Sequence, residues 1–314
     1  MFEFCLKLFD VKSITISICI HLLVCCLFLY SCNPRRVRNE PDSRLNLNSV
    51  SNDDFLEIID SVSTNDSLLF PQTPDKYPSQ ILMRIAYATS YNTDTKNPNW
   101  VSWHLTREHL QGNYSRKGMP YQGANGEVLG VGYVGPEHQS GSFFVDMQAN
   151  LPRADGDDWR MHPENVNHGH ICPAGDNKWC KPAMNQSFLL TNVCPQHPAL
   201  NNGVWKSIEE KCRTWAKRYD DIYIIAGPIF KDNYHTFGVH EVGVPDYFFK
   251  VVLCLSGEPK TIAFLCPNDI CDYSMESYVV SVDSVELVTG FDFFNVLPDS
   301  LESIIESESN ITLW

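Results

Sequence analysis

Apolar positions recur along the chain in several rhythms, and each rhythm marks a different kind of segment. A nearly unbroken apolar run covers residues 14–30. From residue 33 to about residue 75 it gives way to Asn, Ser, Asp and Pro with no sustained period, which reads as a tether with one candidate short helix at 55–62. Runs of β-branched and aromatic residues then predict strands over 82–91, 100–105 and 221–230. Two more are predicted over 247–255 and 261–265, paired across Ser256-Gly257-Glu258-Pro259. Between them, Trp205, Ile208, Cys212, Trp215 and Tyr219 step by three and four, the spacing of one buried helix face, and predict a helix from about Asn202 to Tyr219. A short helix is expected over 183–190 after Pro182, and an acidic one from near Asp299, following a segment at 282–297. Strands and helices interleave without a regular βαβ rhythm, so the expected class is α+β, a mixed or antiparallel sheet with packed helices.

Composition narrows this picture. With 43% hydrophobic and 12% aromatic residues the 314-residue chain has material for a core, which excludes a disordered chain. The net charge of -14 speaks against capture of polyanions by the overall field, so any contact with nucleic acid needs a local basic or metal-bearing cleft. Lys7 and Lys12 precede the first apolar run, which ends at Ser31-Cys32-Asn33, the layout of an export signal. Its ending, Leu29-Tyr30-Ser31-Cys32, resembles a bacterial lipobox and makes Cys32 a candidate for lipidation. The alternative is an uncleaved membrane span. The expected organisation is a signal peptide at 1–32, a tether at 33–75 and a folded domain at 76–314, exported and held to a membrane in the periplasm or at the cell surface. Seven cysteines remain beyond the leader, an odd number, so not all can pair. Cys266 and Cys271 could close a small loop, and others are expected as buried thiols.

The densest chemistry lies in Asn167-His168-Gly169-His170-Ile171-Cys172-Pro173-Ala174-Gly175-Asp176, then Thr191-Asn192-Val193-Cys194-Pro195-Gln196, then Leu200-Asn201-Asn202-Gly203-Val204-Trp205 and Ile208-Glu209. This run resembles the DNA/RNA non-specific endonucleases, whose hallmark is Asp-Arg-Gly-His, then Pro-Ala, a Ser/Thr-Asn-x-x-Pro-Gln block, and an Asn before a helix carrying Trp and Leu-Glu. Pro98-Asn99-Trp100, Ala226-Gly227-Pro228 and Thr289-Gly290-Phe291-Asp292 extend the likeness over most of the chain from about residue 80. The resemblance implies a ββα-metal (His-Me finger) site in domain 76–314. In it His170 is the general base, Asn201 the single protein ligand of Mg2+ (Mn2+ as a substitute), and Glu209 the acid that orders the metal's waters. DNA and RNA are the implied substrates, and many relatives are dimers. Asn192, Gln196 and Arg153 are candidates for substrate contact.

The residues support part of this on their own. An imidazole titrates near neutrality, and magnesium prefers oxygen ligands and keeps several waters. On one continuous helix Glu209 falls roughly 80° from Asn201 and Glu210 about opposite, which favours Glu209. Each also has a plain reading: Asn201 or Asn202 as a helix cap, Glu209 as a solvated charge, His170 as a structural histidine. Two hallmark positions depart from the pattern, with Asn167 in place of Asp and His168 in place of Arg. The stretch Gln139-Ser140-Gly141-Ser142-Phe143-Phe144-Val145-Asp146 lacks a further Arg usual there. A histidine donates a hydrogen bond, and carries charge when protonated, without the guanidinium's bidentate fork. The expectation is a weak metal-dependent nuclease favoured by mildly acidic pH, or alternatively a member that binds nucleic acid or a protein without cutting. A zinc module built on His168, His170, Cys172, Cys180 and Cys194 is a rival, although closely spaced Cys pairs are missing.

Overall fold

The computed structural model describes residues 66–115, 143–271 and 274–314. The leader with Cys32, the candidate helix at 55–62 and residues 139–142 lie outside the described residues. The main sheet has seven strands: β1 (Gln80–Met83), β2 (Ala88–Asn92), β3 (Asn97–Thr106), β6 (Asp221–Ile229), β9 (Tyr247–Cys254), β10 (Lys260–Pro267) and β11 (Val279–Val280), hydrogen-bonded in that order. Every pairing in it is antiparallel. A second pair, β4 (Asn167–His170) with β5 (Val193–Gln196), stands apart from it, as does the short pair β7 (Thr236–Phe237) with β8 (Val242–Gly243). Among the described residues six α-helices accompany them: α1 (Gly156–Arg160), α2 (Lys181–Gln186), α3 (Pro198–Asn202), α4 (Val204–Tyr219), α5 (Val282–Thr289) and α6 (Asp299–Ile305).

Strand alternation explains how one sheet serves two cores. Ile222, Ile224 and Ala226 of β6 pack with Trp205, Ile208, Cys212 and Trp215 of α4. Their neighbours Tyr223 and Ile225 pack with Val282 and Val285 of α5 and Ile305 of α6. A strand covered on both faces has no polar side to show, which is why the stretch from residue 221 reads as continuous apolar sequence. No described helix is long and apolar enough to cross a membrane.

The strands predicted at 100–105, 221–230, 247–255 and 261–265 and the long helix all form. The run at 82–91 is two strands rather than one: the backbone turns at residues 84–87, closed by the Arg84 amide donating to the Tyr87 carbonyl at 2.8 Å. No Gly, Pro or Asn marks that turn in the sequence. The tether also ends earlier than expected. Leu68 is fully buried among the side chains under α5, Trp100 Nε1 donates to Thr73 Oγ1 at 2.9 Å, and Gln72 pairs with Asp292. The folded part therefore includes residues expected in the tether. Cys266 and Cys271 do not close a loop: no disulfide joins the seven described cysteines, five of which are buried. Burial pushes the Cys212 thiol up to about 12.

Candidate active site

β4 and β5 lie antiparallel, with His170 opposite Val193 and Asn167 opposite Gln196, and the chain then enters α3 and α4. Two strands and a helix thus frame the histidines. His168 and His170 are two apart on a strand and so share a face. Both meet the Phe143 ring, His168 stacked at 4.5 Å between centroids and His170 tilted at 5.0 Å. His168 also stacks on Trp159 of α1 at 4.0 Å. His170 is buried, its ring edge-on to Phe188 at 5.0 Å. Its carbonyl accepts from Trp205 Nε1 at 3.4 Å, which fastens the first turn of α4 to the end of β4.

Gly169 separates the two histidines for a steric reason. A Cβ there would stand 2.1 Å from Gln196 Oε1, so only glycine lets that side chain pass. Gln196 itself is fully buried, and neither end of its amide has a hydrogen-bond partner among the described residues. Asn192 is likewise buried. Its Oδ1 accepts from the Cys172 amide and its Nδ2 donates to the Cys172 and Ser187 carbonyls, each at 2.8 Å. The structure therefore buries both Asn192 and Gln196, the candidates for substrate contact, and Asn192 ties the Cys172 and Ser187 backbone together. Arg153 is turned away to donate from Nη1 to the carbonyl of Ala149 at 2.8 Å.

Asn201 sits half-buried near the end of α3, its amide bonded to the His197 carbonyl at 2.9 Å. The expected continuous helix through Asn201 breaks at Gly203, where a Cβ would meet the Ala199 carbonyl oxygen at 2.3 Å. The angle reckoned between Asn201 and Glu209 on one helix does not apply. Within α4, however, the Glu209 side chain is 15% exposed and Glu210 is 59% exposed, so Glu209 is the acid that faces inward.

Beneath Glu209 lies a charge network that motif reading overlooked. Arg213, one turn further along α4, brings Nη1 to 2.9 Å from Asp176 Oδ1 and 3.9 Å from Glu209 Oε2. Asp176 is buried and its other oxygen accepts from Trp103 Nε1 at 3.1 Å. Burial raises the Asp176 carboxyl above its usual value, while Arg213 and Lys250 pull it down. Burial alone would lower the Arg213 guanidinium, but Asp176 and Glu209 hold it above its ordinary value. Lys250, on β9, is fully buried with its Nζ 4.3 Å from the Trp205 ring and 5.3 Å from Trp103. Its Nζ has no hydrogen-bond partner among the described residues, so the aromatic faces and the nearby acids are what offset its desolvation. Two acids, Asp176 and Glu209, thus share the space under α4 with two cations, Arg213 and Lys250. The sequence does carry signals for these: Arg213 is one helical turn from Glu209, and Lys250 interrupts an apolar strand.

Two groups of three metal-competent His, Cys, Asp or Glu side chains occur among the described residues, Asp155–Asp158–His240 and Asp283–Glu286–Glu306. His168, His170, Cys172, Cys180 and Cys194 form none, so the zinc module is not assembled. Of the side chains that the resemblance implies for a metal, Asn201 offers an amide oxygen and Glu209 a carboxylate. Both are hard oxygen ligands of the kind magnesium takes while keeping most of its waters.

Comparison with known proteins agrees with this architecture. A family model described as DNA/RNA non-specific endonuclease matches residues 67–300. The chain is 29% identical over 226 residues to the mitochondrial nuclease EXOG of Xenopus laevis, spanning 67% of this chain and 57% of that protein. It is 26% identical over 229 residues to the mitochondrial endonuclease G of Bos taurus, 68% and 69% of the two chains. A nuclease of Nostoc sp. is 29% identical over 249 residues, 75% and 80%. Among solved structures, the complex of EndoG with EndoGI contains a similar chain, with a TM-score of 0.57, 23% identity, and coverage of 71% of this chain and 89% of that one. At that identity the likeness establishes the shared fold.

Proposed function

Since the chain belongs to the DNA/RNA non-specific endonuclease family, we propose that it hydrolyses phosphodiester bonds of DNA and RNA without reading base sequence, with His170 as general base. His170 takes the proton of the water that attacks phosphorus, the role for which histidine is used most often. Asn201 and Glu209 would hold a magnesium ion, Asn201 offering its amide oxygen and Glu209 its carboxylate. When bound, that ion neutralises charge on the phosphate and on the departing oxygen. Arg213 lies beside Glu209 with part of its side chain exposed, a guanidinium on the helix side of the acid. His168, stacked on Trp159 and Phe143, donates a hydrogen bond to the phosphate. Asn167 keeps the hydrogen-bonding shape of the usual Asp without its charge. Substrate recognition through the phosphate backbone accounts for tolerance of both sugars. The reading extends to location: Cys32 carries the lipid, and the nuclease works outside the cytoplasm.

The observation that carries the reading is the single face shared by His168 and His170, fastened to α4 through Trp205. The test incubates the purified chain with plasmid DNA and with RNA, with magnesium or manganese against chelator, across about pH 5 to 9 beside His170→Ala. Metal-dependent cutting is expected, reduced about 10²–10⁴-fold in the variant. Folded protein that cuts nothing at any pH would refute the proposal and leave binding without cleavage as the family member's role.

A further inference from the structure

From Thr261 to Trp314 the chain has ten acidic residues and not one Lys, Arg or His. Six of those acids, Asp283, Glu286, Asp292, Asp299, Glu302 and Glu306, lie on α5, on α6 or next to them. Asp283, Glu286 and Glu306 each bring a possible ligand oxygen within 4.8 Å of the others. Clusters of exposed acids are common, but Glu306 is only 3% exposed, and its Oε1 has no hydrogen-bond partner among the described residues. A buried carboxylate is ordinarily neutralised by a cation or a proton. No described ion pair involves Glu306, Glu286 or Asp283. The fold nonetheless holds the three together: the Asp283 amide donates to the Glu306 carbonyl at 3.2 Å, and Glu286 Oε1 accepts from the Phe293 amide at 2.8 Å.

We infer that Asp283, Glu286 and Glu306 bind one calcium ion that ties α6 to α5. Calcium accepts six to eight oxygens in flexible geometry and takes carboxylates singly or through both oxygens, which suits three acids of differing burial. Magnesium demands a tighter octahedron and gives up its waters reluctantly. Protons are the competing occupants. Burial, reinforced by the neighbouring acids, raises Glu306 to about 9 and Glu286 and Glu302 to about 7, so without a metal the cluster keeps protons near neutral pH. The site packs on the face of the sheet opposite α4 and does not depend on the nuclease reading.

The test titrates calcium chloride into the chelator-treated full chain at about pH 7.5, reading binding by calorimetry and melting temperature. Wild type, Glu306→Gln, Asp283→Asn and Asn201→Ala are compared. Asp283 is exposed, so its variant keeps a folded chain even if the Glu306 change disturbs packing. Wild type and Asn201→Ala are expected to bind one calcium and melt about 5 °C higher at roughly a hundredfold excess over the dissociation constant. Asp283→Asn and Glu306→Gln are expected to bind at least about tenfold more weakly and to lose about half of the rise or more. No calcium-dependent rise in wild type up to about 10 mM, beyond the range of the weakest calcium modules, overturns the site. So does an equal rise in Asp283→Asn and Glu306→Gln, or a rise lost only in Asn201→Ala.

Discussion

On the α4 side of the sheet, Asp176 is buried with Arg213 at 2.9 Å and a second cation, Lys250, lying under the same helix. On the α5–α6 side, Glu306 is buried as deeply, and its described charged neighbours are other acids. The same sheet therefore carries a compensated cluster behind the histidine finger and an uncompensated one on its back. The difference teaches what each arrangement demands. A compensated network has already met its desolvation cost, and the danger lies in removing one member. An uncompensated cluster holds together only with protons or an ion from solution, so its contribution varies with pH and with calcium.

Removing a member of the network should give the largest effect. Asp176→Ala leaves Arg213 and Lys250 without their shared acid, and a loss of about 3–5 kcal/mol in urea unfolding is expected. A loss below about 1 kcal/mol would mean that solvent already screens the network, and the contrast between the two faces would disappear. A medium effect should come from acidity. Glu306, Glu286 and Glu302 have carboxyls raised above the usual 4.5, so the folded chain holds protons that the unfolded chain releases. Their burden is absent below the unfolded value and grows as pH rises towards the folded values, so stability falls with rising pH. In calcium-free buffer the melting temperature should decline from about pH 5 to about pH 8, and less steeply in Glu306→Gln. Parallel slopes for the two proteins would exclude the cluster as the source. The smallest effect belongs to an exposed pair on α4, Lys206 with Glu210 at 3.9 Å. Lys206→Ala should shift stability by less than about 0.5 kcal/mol and sets the scale for charge changes that burial does not amplify.

Much of this architecture can be read along the chain, because local pattern and tertiary role coincide there. The stripe from Trp205 to Trp215 is buried as its spacing requires, and β6, β9 and β10 occupy the predicted apolar runs. The finger was legible through its motif, whose Gly169 has a steric reason that the structure supplies. What was not legible depends on pairs distant in sequence. The partnership of Asp176 with Arg213 joins a loop to a helix, and nothing local to Asp176 announces it. At the split over residues 84–87, Arg84 turns inward to Asp146, a partner 62 positions away. Asn192 and Gln196 carry the polar side chains of a recognition site, and their complete burial is not visible in the sequence.

Early and late parts of the folded chain are stitched together. Gln72 and Asp292 exchange backbone hydrogen bonds at 2.9 and 3.0 Å, and Tyr77 donates to the Thr289 carbonyl 212 positions further on. Loops of that length close slowly, because the entropy of bringing the ends together is lost before the contacts are gained. A chain emerging vectorially, whether from a ribosome or through a translocation channel, leaves Leu68 and Trp100 without their covering layer until Asp292 has followed. Completion of this core is therefore an event of the finished polypeptide, and a chain cut short before Asp292 would expose an apolar sheet face to whatever quality control meets it.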